Sequence, residues 1–361
     1  MRVSSVPAAA AVLCICSIAA SAQAPENAYR CATCHVKQAR TQPASSMAHA
    51  LSLAGANPIL NAHSDLSFRG GGYVYRIQTE NGQSTYTVTS GTDTISAPIK
   101  WAFGAGSQTY VLEHNGKLYE SSVSYYPAIN GLDITMGDQA IEPKTLVEAF
   151  GRELPISEST ACFGCHSSGA VVDHRLNLES MRPGVTCEHC HTGALKHQDA
   201  IYRGRLDSVP PKLKRISSEE ISNFCGQCHR SFETVVGDLH LRGPVTVRFQ
   251  PYRLAMSKCF DGSDSRISCI ACHDPHEELV RDRASYDAKC LTCHTSADAA
   301  HLTSASSVAV HSPNSRDAKA CPVGTSGCAS CHMPKTELEG SHMTFTDHYI
   351  RIVRPNEPYP N

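Results

Sequence analysis

The sequence predicts an α+β fold low in regular structure, with short helices and loops over most of its length and one small antiparallel β meander inserted near the N-terminus. Three observations lead there. Seven copies of the motif Cys-x-x-Cys-His are spread unevenly along 361 residues. The stretch between the first two copies alternates apolar and polar residues around Asn-Gly turns. Aromatic residues make up only 6% of the chain, with a single tryptophan, so something other than aromatic side chains must fill its interior.

The motifs are Cys31/Cys34/His35, Cys162/Cys165/His166, Cys187/Cys190/His191, Cys225/Cys228/His229, Cys269/Cys272/His273, Cys290/Cys293/His294 and Cys328/Cys331/His332. Zinc ribbons and thioredoxin-like sites also use Cys-x-x-Cys, but neither requires histidine at the next position, whereas covalent haem attachment does. Two thiols three positions apart on one turn reach the two vinyl groups of one haem as thioethers, and the adjacent histidine lies under the iron as proximal ligand. One motif therefore means one haem, and the expected cofactor load is seven haems c. Seven porphyrins supply the bulky apolar volume that the composition lacks, and the short helices and loops serve to wrap them.

Along the chain, residues 1–22 read as a secretory signal, with Arg2, an apolar run over residues 8–20 and a small-residue cleavage site at Ala20-Ser21-Ala22. The run is shorter than the ~20 residues that a membrane span needs, so the mature chain, starting near Gln23, is expected to carry no transmembrane span. Cys14 and Cys16 follow Leu13 and Ile15, which disfavours a lipid anchor. The expected location is the periplasm, with the cell surface as alternative. In such an oxidising compartment the two cysteines left over, Cys259 and Cys321, are expected to form a disulfide, the alternative being two independent buried thiols.

Residues 23–60 form an N-terminal segment with the first haem, and residues 61–150 a haem-free β-rich insert. Within it, residues 72–79 alternate, Asn81-Gly82 turns the chain toward Tyr86 and Val88, and Asn115-Gly116 separates residues 110–113 from Leu118 and Tyr119. Its expected role is scaffold. Residues 151–361 form a six-haem domain in which the short gaps, Cys162 to Cys187 and Cys269 to Cys290, mark the expected close haem pairs.

Each iron also needs a partner on its far side, and that partner separates an electron carrier from an enzyme. Twelve histidines remain outside the motifs, enough for two histidines on every iron. The candidates are His49, His174, His197, His240, His276, His311, His342 and His348, with Met47 and His114 as alternatives to His49 at the first haem. His189 lies inside its own motif and is expected to face solvent, and His63 and His301 have no distinguishing context. The formal net charge of −2 becomes more negative by roughly −1 per ferric haem with ionised propionates. Nucleic-acid binding has no support; the expected partners are redox proteins with basic docking faces, and assembly with other cytochromes is compatible with the pattern.

The stretches ACFGCH, PGVTCEHCH, VRFQPYRL, KCF followed by CIACHDPH, and CASCHMPK ending in FTDHYIRI resemble exported bacterial multihaem cytochromes c related to the cytochrome c-554 group. The resemblance runs through most of residues 28–355 and is most specific from Cys259 onward. It implies electron transfer, bis-histidine haems and a periplasmic or surface location, and it supports His197 as a ligand. The chain departs from the family pattern there, reading CHTGALKH.

The leading reading is thus an electron carrier. A multihaem reductase of nitrite, hydroxylamine or a sulfur oxyanion is the rival, since it needs one iron with an open sixth position; no Cys-x-x-Cys-Lys motif marks such a site. A structural subunit whose terminal haems abut a neighbour's is the third reading. If each motif is loaded, the pyridine haemochrome spectrum divided by protein mass will give seven haems per chain; a lower ratio removes at least one motif from the count.

Overall fold

The computed structural model describes residues 31–205, 208–210, 212–294, 324–354 and 356–360. The signal segment, Cys321 and the candidate ligand His311 lie outside them, and with Cys321 so does the disulfide.

Nine strands form one antiparallel sheet: β1 (Leu51–Leu53), β2 (Asp65–Gly70), β3 (Tyr73–Glu80), β4 (Gln83–Ser90), β5 (Asp93–Phe103), β6 (Gln108–His114), β7 (Lys117–Tyr126), β8 (Gly131–Ile134) and β9 (Gly151–Glu153). Strands β2 to β8 run in sequence order, β1 pairs with β5, and β9 pairs with β7. β2 and β8 approach each other across the remaining gap, so the sheet is nearly closed into a barrel. The expectation of a chain low in regular structure with a small meander is therefore corrected. Its two Asn-Gly hairpins are present, with Asn81 and Asn115 at φ 51° and 50°, as the primed turns require. Among the strands it missed is one whose outward face carries serine and threonine. That strand is β5: Thr94, Ser96, Pro98 and Lys100 alternate outward, and a proline argues against a strand, yet Pro98 sits in register opposite Thr85.

The barrel interior is packed with side chains. Tyr75, Ile77, Tyr86, Val88, Tyr110 and Leu112 are buried there. Helix α1 (Val36–Thr41) precedes the barrel. Two short helices pack on it: α2 (Pro58–Ala62), capped by the Asn57 side chain, and α3 (Leu146–Phe150), capped by Thr145. α3 inserts Phe150 against Tyr86 and Tyr119 at ring separations of 5.4 and 5.7 Å.

A register shift between Ile99 and Trp101 turns Trp101 to the outer face, while Ile99 and Ala102 stay inside. Trp101 and Phe103 then pack edge-on against Phe163, at 5.0 and 5.1 Å. Phe163 belongs to α4 (Ile156–His166), whose last turn carries the second motif. The barrel is in this way the bed on which that motif rests.

Beyond it come α5 (Cys187–Cys190), α6 (Ala194–Tyr202), α7 (Ser218–His229), α8 (Gln250–Ala255), α9 (Cys269–Cys272), α10 (Asp287–Leu291) and α11 (Cys328–His332). None of the described helices is long and apolar enough to cross a membrane. α7 begins at a capping box between Ser217 and Glu220.

Truncating Phe150 to alanine should lower the unfolding free energy by about 3–5 kcal/mol in denaturant titration. Tyr110→Phe should leave stability unchanged or raise it by up to about 1 kcal/mol, because the buried Tyr110 hydroxyl has no hydrogen-bond partner among the described residues. A loss in the second variant would mean that the hydroxyl is satisfied.

Candidate haem sites

The motifs share one local geometry. In the first, third, fifth and sixth, the histidine amide donates to the carbonyl of the first cysteine, at 2.8, 2.9, 2.9 and 3.0 Å. This single helical turn puts residues i and i+3 on one face, so both thiols point the same way. The second and fourth motifs close the regular helices α4 and α7.

The motifs also meet one another. The Cys31 thiol lies beside that of Cys187, Cys165 beside that of Cys228, Cys225 beside that of Cys269, and Cys290 beside that of Cys328. Cys190 lies within electrostatic range of Cys225 and Cys228, and Cys272 within range of Cys290. The seven motifs therefore form one connected, branched network, running from the first through the third to the fourth, which also touches the second and the fifth, and from the fifth through the sixth to the seventh. Of the two close pairs expected from short gaps, the fifth and sixth are neighbours, whereas the second motif makes its thiol contact with the fourth.

Four of the expected attachment thiols stand outside these contacts between motifs. Cys34 and Cys331, in the first and seventh motifs, are exposed, as are Cys190 and Cys272 in the third and fifth. Cys293, in the sixth motif, is half-buried; its sulfur lies 3.9 Å from the Thr292 hydroxyl and within electrostatic range of Cys259 and Arg266, while Cys290 makes the contact with the seventh motif. Cys162 turns toward the barrel, near Glu120 and Arg152, and burial raises its thiol pKa.

Specific bonds hold this arrangement. The Asp287 carboxylate accepts the amides of Gly327 and Cys328 at 2.7 and 2.9 Å, fixing the seventh motif on the sixth, and these bonds hold its carboxyl below the usual range. Lys37 pairs with Glu277 at 2.7 Å, and Ser46 donates twice to Glu278, tying the chain around the first motif to the loop after the fifth.

Several histidines are oriented through Nδ1, which leaves Nε2 for a metal. His166 bonds the Ala50 carbonyl at 3.0 Å, His332 that of Arg351 at 2.9 Å, and His348 that of Thr346 at 3.0 Å. His197 bonds the Ser208 carbonyl, and His240 that of Val236 at 2.8 Å. His276 is held by Asp274 at 3.1 Å.

Two pairs of imidazole rings lie at a telling separation, one pair parallel and the other tilted by 50°. Imidazoles on opposite sides of one metal, with bonds of about 2 Å and each ring centre roughly 1 Å behind its nitrogen, sit about 6 Å apart. The rings of His191 and His276 are 5.9 Å apart and parallel within 5°, and those of His273 and His348 are 6.2 Å apart. His276 thus faces the third motif, although in sequence it follows the fifth. Dense surroundings push His348 down to about 4, which keeps its imidazole neutral and fit to ligate.

The other candidates are placed differently. His49 is exposed, in a turn whose carbonyls at Met47 and Ala50 bond Val185 and His166, beside the second and third motifs. His174 is exposed at φ 60°, at the tip of the hairpin formed by Val171–Val172 and Arg175–Leu176. His342 bonds Asp133 on β8 through Nε2, at 2.7 Å, and its ring packs on Tyr126. Among the described residues His35, His229, His294 and His332 carry their motifs without a ring partner at such a distance. Both nitrogens of His63 are bonded, to Ile59 and Asn130, and His114 packs on Phe150. His189, expected to face solvent, is half-buried, and burial lowers its pKa.

The residues fit flat apolar cofactors. Beyond Met181 the described residues bury only one small apolar cluster, Val235, Phe249 and Tyr252, while Phe232, Val236, Leu239, Leu279 and Val280 stand exposed. Among the described residues no three histidine, cysteine or acidic side chains converge as a metal-ligand cluster.

Sequence reading missed the ion pair that anchors His348. Arg253, on α8, binds Asp347 through two bonds of 2.8 and 2.9 Å, with both side chains fully buried. Arg351 adds a third bond, and Tyr349 and Tyr359 cover the guanidinium. Both residues lie in the VRFQPYRL and FTDHYIRI stretches, but no spacing rule links them across 94 positions.

One comparison with known proteins gives a match: 135 aligned residues are 26% identical to the C-type polyheme cytochrome OmcB of Geobacter sulfurreducens, in each of two strains. The alignment covers 32% of this chain and 17% of that protein's length. No family model and no solved structure matches the chain. The likeness, with the repeated attachment motifs, supports a chain of the multihaem cytochrome c kind.

Arg253→Met should lower the unfolding free energy by about 3–5 kcal/mol, because it leaves Asp347 buried and unpaired. Burial raises the Asp347 carboxyl, but the bonds from Arg253, the Tyr349 amide and Arg351 outweigh it and hold the carboxyl below its usual value. Its contribution is therefore present above the unfolded-state pKa of about 3.9 and lost as pH falls through the folded value. An acid-unfolding midpoint unchanged in the variant would remove this pair from the stability account.

Proposed function

We propose that the chain is an exported seven-haem c-type cytochrome of the cytochrome c-554-like kind, passing electrons through mostly bis-histidine haems in the periplasm or at the cell surface. The observation that carries this reading is the continuity of the motif network: every motif adjoins another, so no haem attached there would be isolated from the rest. His191 with His276, and His273 with His348, would each hold one iron from both sides. A haem so held supplies reversible one-electron chemistry without an open coordination position.

The protein's own part is positioning. Asp274 and the backbone carbonyls fix the imidazoles through Nδ1, as the outer hydrogen-bond partners of metal-bound histidines do. The Arg253–Asp347 pair fixes the chain direction on entering and leaving His348. The donor and acceptor are proposed to be redox proteins with basic docking faces, and assembly with other cytochromes fits the branched network, which ends at the first, second and seventh motifs.

Low-temperature electron paramagnetic resonance of the oxidised, haem-loaded protein tests the reading. Seven low-spin haems support the carrier; a high-spin signal of one haem turns the reading to a reductase with an open iron. His348→Gly should convert one low-spin haem to high spin. An unchanged spectrum refutes that ligand.

A further inference from the structure

The fourth motif is the branch point of the network, and an open cleft of about 440 Å³ lies against it. Cys228 and His229 line it together with the apolar Leu239, Leu241 and Phe249. Two arginines, Arg230 and Arg248, complete the lining. Such a lining suits a haem chemically, with apolar side chains for the macrocycle and two cations for its carboxylates.

Neither arginine has its charge answered by protein. Among the described residues Arg230 and Arg248 form no ion pair, in contrast to Arg76, Arg152, Arg253, Arg266 and Arg351. The Arg248 Nε is buried without a hydrogen-bond partner among them. Its remaining contacts are weak: Nη1 lies 3.8 Å from the Met136 sulfur, and the guanidinium lies 5.2 Å from the centre of the Phe249 ring. Burial first, and the charge of Arg230 second, work against the Arg248 cation. Arg230 is held at φ 64°, in the left-handed region that a non-glycine residue adopts only at a cost. Two partly desolvated cations facing one cleft call for an anion there.

We infer that Arg230 and Arg248 bind the propionate carboxylates of the haem attached at Cys225 and Cys228. The assignment rests on the multihaem reading and adds a function to it. Positive charge beside a haem favours its reduced state, so these arginines would raise the potential of a haem held at this junction of three neighbouring motifs. A free oxyanion has the same chemistry as a propionate, and the test separates the two.

The experiment is a potentiometric titration of the haem-loaded protein, followed by electron paramagnetic resonance, for wild type, Arg248→Gln, Arg230→Gln and Arg248→Lys. In each glutamine variant one haem should shift to lower potential by about a tenfold change in its reduction equilibrium, which is 59 mV for a one-electron couple. Arg248→Lys keeps the charge and should stay near wild type, which separates loss of charge from loss of packing. Unmoved potentials in both glutamine variants overturn the assignment. So does a wild-type potential that follows added sulfate at constant ionic strength with the response lost in Arg248→Gln, since the arginines would then hold an exchangeable oxyanion. The haem-to-protein ratio of the same samples distinguishes the two levels of the argument: fewer than seven haems in wild type counts against the seven-haem reading, whereas seven haems with unmoved potentials defeats the arginine assignment alone.

Discussion

The buried pair of Arg253 and Asp347 holds together parts of the chain that share no sheet and no regular helix packing. Arg253 sits in α8, and Asp347 immediately precedes His348, whose ring faces that of His273. Ser257 adds a second link, accepting from the Ile350 amide and donating to the His348 carbonyl. With both charges fully buried, neither can find water as a substitute partner, so the pair specifies one arrangement of the C-terminal segment and tolerates no neighbour of it. In a region that buries so little apolar surface of its own, this polar knot takes the place that a core of aliphatic side chains would occupy elsewhere.

The barrel solves the complementary problem. It has a dense interior and lends its outer face to the second motif through Trp101, Phe103 and Phe163. A one-residue irregularity in β5 makes that possible by turning one large aromatic outward without emptying the core. The barrel also reaches the C-terminal segment, where Asp133 bonds His342 and the Ser107 hydroxyl donates to the Met343 sulfur. One scaffold thus touches the second motif and the segment leading to His348.

The two hairpins with Asn-Gly turns were legible because a primed turn between twisted strands demands residues that accept positive φ. β5 was not, because a strand whose outer face is threonine and serine, interrupted by Pro98, has the local composition of a loop. What makes it a strand is pairing on both sides, β4 with its Thr87–Ser96 contact and β6 beyond, and pairing is not written in the strand's own residues.

The geometry of the attachment motifs was legible in the sequence alone, since two thiols and a histidine within five residues lie on one helical turn whatever the fold around them. The supply of further histidines was equally plain. Which histidine faces which motif was decided only in three dimensions: His276 lies three residues from His273 yet faces His191, and the second motif contacts the fourth in preference to its neighbour in sequence. So was the difference between Cys290, packed against the seventh motif, and Cys34 or Cys331, open to solvent at the ends of the network. The physical reason is the same in each case. A covalent attachment is a local event fixed by spacing, while a second ligand, a neighbouring motif or a buried counter-charge is supplied by whichever distant segment the tertiary structure brings within a few ångströms.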